Sequence, residues 1–232
     1  MGTGKNETNS EKVYSLEKFI NKKIYSLAVG DYHTILIASG CNCVETINGT
    51  SKECKGRNEC NGGCDVYGWG QNNHGSVNGI PSEEDVSTPK VVPYFNSRKS
   101  LPISLVAICR SRSIAVSNHS QEVFEWGYRI GDRYGVHFEV VYNLPGRCIE
   151  VQAGLEFNMF LLEDGTVWIS GQISQDTDVV FSAANHGTGE NPLVNLTDIL
   201  AENNPQVKDE DGNAPKIKKI CTGYSHAILL DE

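Results

Sequence analysis

One short phrase is written four times along this chain, and its internal spacing constrains the fold more than any other feature. Each copy sets a turn between two apolar stretches. The first is Leu27-Ala28-Val29-Gly30-Asp31-Tyr32-His33-Thr34-Ile35-Leu36, and the fourth is Ile220-Cys221-Thr222-Gly223-Tyr224-Ser225-His226-Ala227-Ile228-Leu229. Between them lie Ala107-Ile108-Cys109-Arg110 and Val151-Gln152-Ala153-Gly154. The first three copies are followed by a strand-like run ending in glycine: Val66-Tyr67-Gly68-Trp69-Gly70, Val123-Phe124-Glu125-Trp126-Gly127 and Val167-Trp168-Ile169-Ser170-Gly171. Arg110 to Gly127 and Gly154 to Gly171 are both 17 residues, and Gly30 to Gly70 reaches the same interval once an insertion is set aside. A fixed metric means one supersecondary unit copied, so the chain reads as an array.

Each unit reads as a strand, a tight turn, a second strand, a hairpin and a third strand. Val, Ile, Leu and aromatic residues fill the strand positions, and Asp164-Gly165 marks the hairpin of the third copy. The turn glycines Gly30, Gly154 and Gly223 allow a close backbone approach. His33 and His226 follow three residues later in the first and fourth copies. On the same spacing Arg110 takes the glycine slot of the second copy, and Ser113 and Phe157 take the histidine slots. Leu196 to Ala201 could form one short helix. Repeated four-stranded units suggest radial repetition, which limits exposed sheet edges.

Gly30-Asp31-Tyr32-His33-Thr34, Val-Tyr-Gly-Trp-Gly-Gln-Asn-Asn-His-Gly at 66–75 and Ser-Thr-Pro at 87–89 resemble the repeat of the regulator of chromosome condensation family. The resemblance covers about residues 13–232. It implies a seven-bladed β-propeller, of which this all-β chain would hold three complete repeats and part of a fourth. Half a propeller leaves open faces and unpaired edges. The expectation is therefore a piece of a longer protein, with the rest of the propeller outside this chain; the competing reading is a product that closes by self-association.

Composition narrows the function. The chain has 232 residues, 39% of them hydrophobic, enough for one packed domain. Its net charge is −9, whereas direct nucleic-acid binding needs a basic face. No apolar run approaches the length of a membrane span, so no membrane insertion is expected. Residues 1–12 are polar and lack the apolar core of a signal peptide, so they read as a disordered arm of an intracellular protein, cytoplasmic or nuclear. Glycosylation-type triplets at Asn6, Asn48, Asn118 and Asn195 are about as frequent as chance supplies in so Asn-rich a chain.

Five of the eight cysteines, Cys41, Cys43, Cys54, Cys60 and Cys64, fall in the insertion at 41–64, which replaces a hairpin turn. Four thiolates could close a structural zinc site; disulfides or free thiols in a disordered loop are the alternatives. Apart from that zinc no cofactor is expected. Cys109, Cys148 and Cys221 sit at apolar strand positions, where cysteine acts as a small hydrophobe.

His33 and His226 occupy one repeat position, which argues for a structural role rather than a catalytic pair. Trp69 and Trp126, with Trp168 shifted by two, read as packing between blades. With Gly70, Gly127 and Gly171, these complete the repeat signature. No phosphate loop, metalloprotease helix or nucleophile elbow is visible, so no enzyme is expected. The first functional reading is a protein-interaction propeller in a larger signalling or ubiquitin-pathway protein. The second, implied by the resemblance, is a guanine-nucleotide exchange factor for a small GTPase, for which Asp31 matches a turn acid; Glu156 is a looser match. The third is a secreted, disulfide-stapled binding protein.

Overall fold

Short runs rich in Val, Ile and aromatic residues, broken by Gly, Asn and Asp, satisfy their backbone groups by pairing with sequence neighbours. The computed structural model describes residues 16–39, 44–47, 50–53, 64–80, 84–96, 102–117, 119–128, 139–171, 193–209 and 211–231. The first blade joins β1 (Ile24–Val29), β2 (His33–Ser39), β5 (Cys64–Gly70) and β6 (Val86–Val91) in that order. Between β2 and β5, β3 (Val44–Ile47) and β4 (Thr50–Glu53) form a separate two-stranded ribbon. The second blade is β7 (Leu105–Cys109), β8 (Arg112–Ser117), β9 (Glu122–Gly127) and β10 (Glu139–Asn143). The third is β11 (Cys148–Ala153), β12 (Phe157–Leu162), β13 (Val167–Gly171) and β14 (Val194–Asn195). β15 (Ile217–Thr222) and β16 (Ala227–Asp231) supply two strands of a fourth. Every pairing is antiparallel. The chain is a β-propeller of three complete repeats and part of a fourth.

Blades stack through one recurring contact. Ile35 and Ile37 of β2 share a core with Ile103, Val106, Phe124 and Trp126 of the second blade. Ile114 and Val116 of β8 share one with Cys148 and Val151, and Met159 and Leu161 of β12 share one with Ile217 and Ile220. Each fully buried aliphatic side chain is worth roughly 1.5–3 kcal/mol relative to exposure. Aromatic residues before the first two blades pack on them. Phe19 lies 5.0 Å from the Tyr67 ring and 6.1 Å from Trp69. Phe95, in the short helix α1 (Pro93–Asn96), lies 5.6 Å from Phe124 and 5.5 Å from Trp126. Before β15 stands α2 (Leu196–Asn203), two residues longer than the expected helix and capped by the Asn195 side chain, which accepts from the Asp198 N–H.

The register corrects the reading of the second repeat. Cys109 pairs with Arg112, and Arg112 pairs with Gly127, just as His33 pairs with Gly70 and Phe157 with Gly171. Cys109, not Arg110, therefore corresponds to Gly30, and Arg112, not Ser113, corresponds to His33. The equal 17-residue spacing arises because the β8–β9 hairpin is one residue longer than β12–β13: Val116 pairs with Val123, seven residues on, whereas Leu161 pairs with Val167, six on.

The arm at 1–12 lies outside the described residues, as do Cys41, Cys43, Cys54 and Cys60. Cys64 opens β5 opposite Ser39, and the β2–β5 ladder runs without a bulge from that pair to His33 and Gly70.

Candidate functional site

The first-to-second-strand turns of all four repeats lie at one end of the blades, and the chemistry of that end follows from how each turn is closed. In three of them the glycine N–H donates to the carbonyl three residues on: Gly30 to His33 at 3.0 Å, Gly154 to Phe157 at 2.9 Å, and Gly223 to His226 at 2.8 Å. A Cβ at Gly154 would stand 2.0 Å from the Phe157 ring, and one at Gly223 would stand 2.2 Å from the His226 ring. The strand-ending glycines meet these turns from the other side. Gly70, Gly127 and Gly171 have φ of 114°, 86° and 96°. A Cβ on them would lie 2.4, 2.2 and 2.1 Å from the carbonyl oxygens of Tyr32, Ser111 and Glu156. The chain leaving the strand then donates to the same turn, Gln71 N–H to Tyr32 and Tyr128 N–H to Ser111, both at 2.8 Å.

The slot after the turn holds His33, Arg112, Phe157 and His226 in the four repeats, and in the first two this part of the strand ties neighbouring blades together. Ser113 Oγ donates to the Ser76 carbonyl at 2.8 Å and lies 2.7 Å from His33 Nε2, so Nε2 carries the proton and donates to it. His33 Nδ1 is buried without a hydrogen-bond partner among the described residues. Burial lowers the His33 pKa from 6.5 to about 4, and the Arg110 backbone opposes that only in part. The ring is thus neutral and structural. Arg112, 2% exposed, donates to Glu125 Oε1 at 2.9 Å and to the carbonyls of Gly154 at 2.7 Å and Phe157 at 3.2 Å. His226 is exposed, because no described residues cover the fourth repeat as the second blade covers His33. The spacing argument overlooked Arg112 and Glu125. Their signal was an arginine opening β8 and a glutamate set between Phe124 and Trp126 in the strand that pairs with it.

The turns and the loop after β5 enclose a cleft of about 490 Å³, lined among others by Tyr32, His74, Arg110, Tyr128 and Glu156. Buried Asn72 shapes the loop, accepting from Val77 N–H at 3.0 Å and donating to the Ile80 carbonyl at 3.2 Å. This places His74 against Tyr128, ring centres 5.8 Å apart. Beside the cleft the second turn reaches the fourth: Arg110 Nη1 donates to Tyr224 Oη at 2.9 Å, with the guanidinium 5.6 Å from the ring centre. Leu155 N–H donates to the Tyr224 carbonyl at 2.8 Å. Tyr32, Tyr128, Tyr224, Arg110 and Asp31 remain exposed, and Glu156 is half-buried.

Burial pushes the Cys109 thiol at the cleft above its usual pKa, against the pull of Arg112 and Arg110, and burial pushes Cys148 up to about 12. Both stay protonated and neither is an activated nucleophile. Among the described residues no group of three His, Cys, Asp or Glu side chains could hold a metal. Trp69 and Trp126 are buried between layers rather than displayed, and Trp168 is half-buried against the second blade's core. Among the described residues no helix is long and apolar enough to cross a membrane.

No protein-family model matches the chain, and no curated protein matches it. Solved structures do. Human WBSCR16 is 17% identical with a TM-score of 0.57, over 91% of this chain and 46% of that one. Prp20p from Saccharomyces cerevisiae, in a study of its binding to Gsp1p and histones, is 15% identical with a TM-score of 0.56, over 94% and 45%. The yeast protein bound to Kap60 is 16% identical with a TM-score of 0.52, over 95% and 43%. The chain thus spans less than half the length of these structures. They are propellers of the regulator of chromosome condensation type, and the likeness is one of fold.

Proposed function

We propose that this chain is a non-enzymatic protein-interaction propeller, a module of a larger signalling or ubiquitin-pathway protein of the cytoplasm or nucleus. One observation carries the reading. Tyr32, Tyr128, Tyr224 and Arg110 are exposed together on turns fixed by backbone hydrogen bonds. Tyr and Arg dominate the energetics of protein interfaces, because they bring large contact area at small loss of freedom. Rigid blades that hold irregular connections at one end give such residues a fixed geometry. Protein partners are bound by the similar Prp20p, whose structures concern Gsp1p, histones and Kap60. The test is partner capture by a chain altered at Arg110 and Tyr128, compared with one altered at the opposite end of the blades.

A second reading, nucleotide exchange on a small GTPase, draws on the similarity to Prp20p and on Asp31. Exchange needs groups that favour the nucleotide-free GTPase over the loaded one. Of the turn residues only Asp31 and Glu156 are carboxylates. We expect the protein to release labelled GDP no faster than buffer does. Tenfold acceleration abolished by Asp31→Ala would place exchange first.

A further inference from the structure

The cleft among the turns gathers the groups with which this end of the molecule already holds a cation of its own. Tyr32, His74, Tyr128 and Glu156 line it. The rings of His74 and Tyr128 stand at 69° to one another, and Tyr32 and Tyr128 are 47% and 38% exposed. Glu156 is half-buried, and among the described residues its carboxylate has no hydrogen bond or ion pair. Asp31, exposed on the first turn, has none either. Two arginines also line the cleft, but both are engaged, Arg112 by Glu125 and Arg110 by Tyr224. The unmet charge is therefore negative.

Arg110 shows which cation such a surface suits. Its guanidinium lies 5.6 Å from the Tyr224 ring centre while Nη1 donates to Tyr224 Oη, so one group makes a ring contact and a hydrogen bond together. A guanidinium does this better than an ammonium, because it is planar, weakly hydrated and carries its five donors in a fixed fork. The backbone also holds His74 and Arg110 in place, at φ of 57° and 51°, a left-handed conformation that is costly for any residue with a side chain. Strain of that kind persists where it positions a side chain for a ligand. On the reading of the turn end as a protein-binding surface, we propose that the cleft takes an arginine side chain from an extended segment of the partner. Its guanidinium packs on the Tyr128 ring and donates to the Glu156 carboxylate. A forked pair with a half-buried carboxylate is shorter and stronger than an ion pair in open solvent.

The test is a titration of the isotope-labelled parent chain, followed by its amide NMR shifts, with the capped peptide acetyl-Gly-Ser-Gly-Arg-Gly-Ser-Gly-amide to millimolar concentration. Matched peptides carry lysine, citrulline or glutamate in place of the arginine. Shifts are expected at Tyr32, His74, Tyr128 and Glu156. Citrulline keeps the shape and loses the charge, so its peptide should bind about tenfold more weakly, with lysine in between. Glu156→Gln should weaken the arginine peptide by about tenfold, and Glu163→Lys, at the other end of the blades, should leave it unchanged. Four results overturn the arginine site: no binding of the arginine peptide, equal binding of the citrulline or lysine peptide, tighter binding of the glutamate peptide, or indifference to Glu156→Gln. The two readings fail separately. Protein capture that survives Arg110→Glu with Tyr128→Ala removes the binding surface, whereas capture lost in that variant without any arginine-peptide binding removes only the arginine site.

Discussion

Arg112 Nη2 donates to the Gly154 carbonyl at 2.7 Å, tying the second blade to the turn of the third from the position that the first blade fills with His33. The same guanidinium holds Glu125 at 2.9 Å, with both side chains almost wholly buried. Removing one member of a buried ion pair leaves the other charge without compensation, at a cost of about 3–5 kcal/mol. Arg112→Ala is expected to lower the unfolding free energy in urea by that amount. Arg112→Met combined with Glu125→Leu should recover most of it, because neither charge then remains buried. A loss under about 1 kcal/mol for the single variant would show that Arg112 does not tie the second blade to the third.

His33 sets a pH dependence. Its folded pKa of about 4 lies below the unfolded value of 6.5, so between the two the unfolded chain binds the extra proton. The stabilisation is complete above pH 6.5 and is lost as pH falls towards 4, by roughly 3 kcal/mol in all. His33→Gln should flatten the unfolding free energy in that window while leaving the steeper carboxylate loss at lower pH. An unchanged slope in the variant would assign the window to other groups.

The strand-ending glycines differ from a loop glycine of similar conformation. Gly127→Ala forces a Cβ to 2.2 Å from the Ser111 carbonyl oxygen, whereas at Gly212, with φ of 82°, nothing lies within 4 Å. The loop variant should lose only the roughly 1–2 kcal/mol of the left-handed backbone. Gly127→Ala should lose clearly more, read from the same denaturation curves. Equal losses would mean that the carbonyl contact has no energetic weight.

Much of this was legible in the sequence. Runs such as Val66 to Gly70 announced strands, and the repeat announced blades. The misplaced slot in the second repeat has a physical origin. A one-residue shift in the turn was offset by a longer hairpin, so the glycine spacing looked regular while the register had moved. The tie between Arg110 and Tyr224 was illegible, because it joins turns two blades apart and depends on how the array curves.

The insertion between β2 and β5 is expected to be separable from the blade. The ladder on either side of it stays in register from Ser39 and Cys64 to His33 and Gly70. Replacing residues 41–63 with an Asp-Gly turn should change the melting temperature by less than about 2 °C, the scale of a surface change of ~0.5 kcal/mol. A larger fall would place the insertion in the core. Zinc analysis of the parent chain, purified under reducing conditions, decides between the thiolate site and free thiols.

The central claim is that the turn end of the blades is the binding surface, and paired capture tests it most directly. Immobilised parent chain, an Arg110→Glu, Tyr128→Ala variant, and a Glu163→Lys variant would be exposed to the same labelled cell extract. Glu163 is exposed at the opposite end of the third blade, where it pairs with Arg147 at 2.8 Å. Loss of one interface anchor commonly weakens binding by about tenfold or more. The account predicts at least that loss of retained protein for the turn-end variant and unchanged retention for Glu163→Lys. Retention of the same proteins at the same level by the turn-end variant would contradict it.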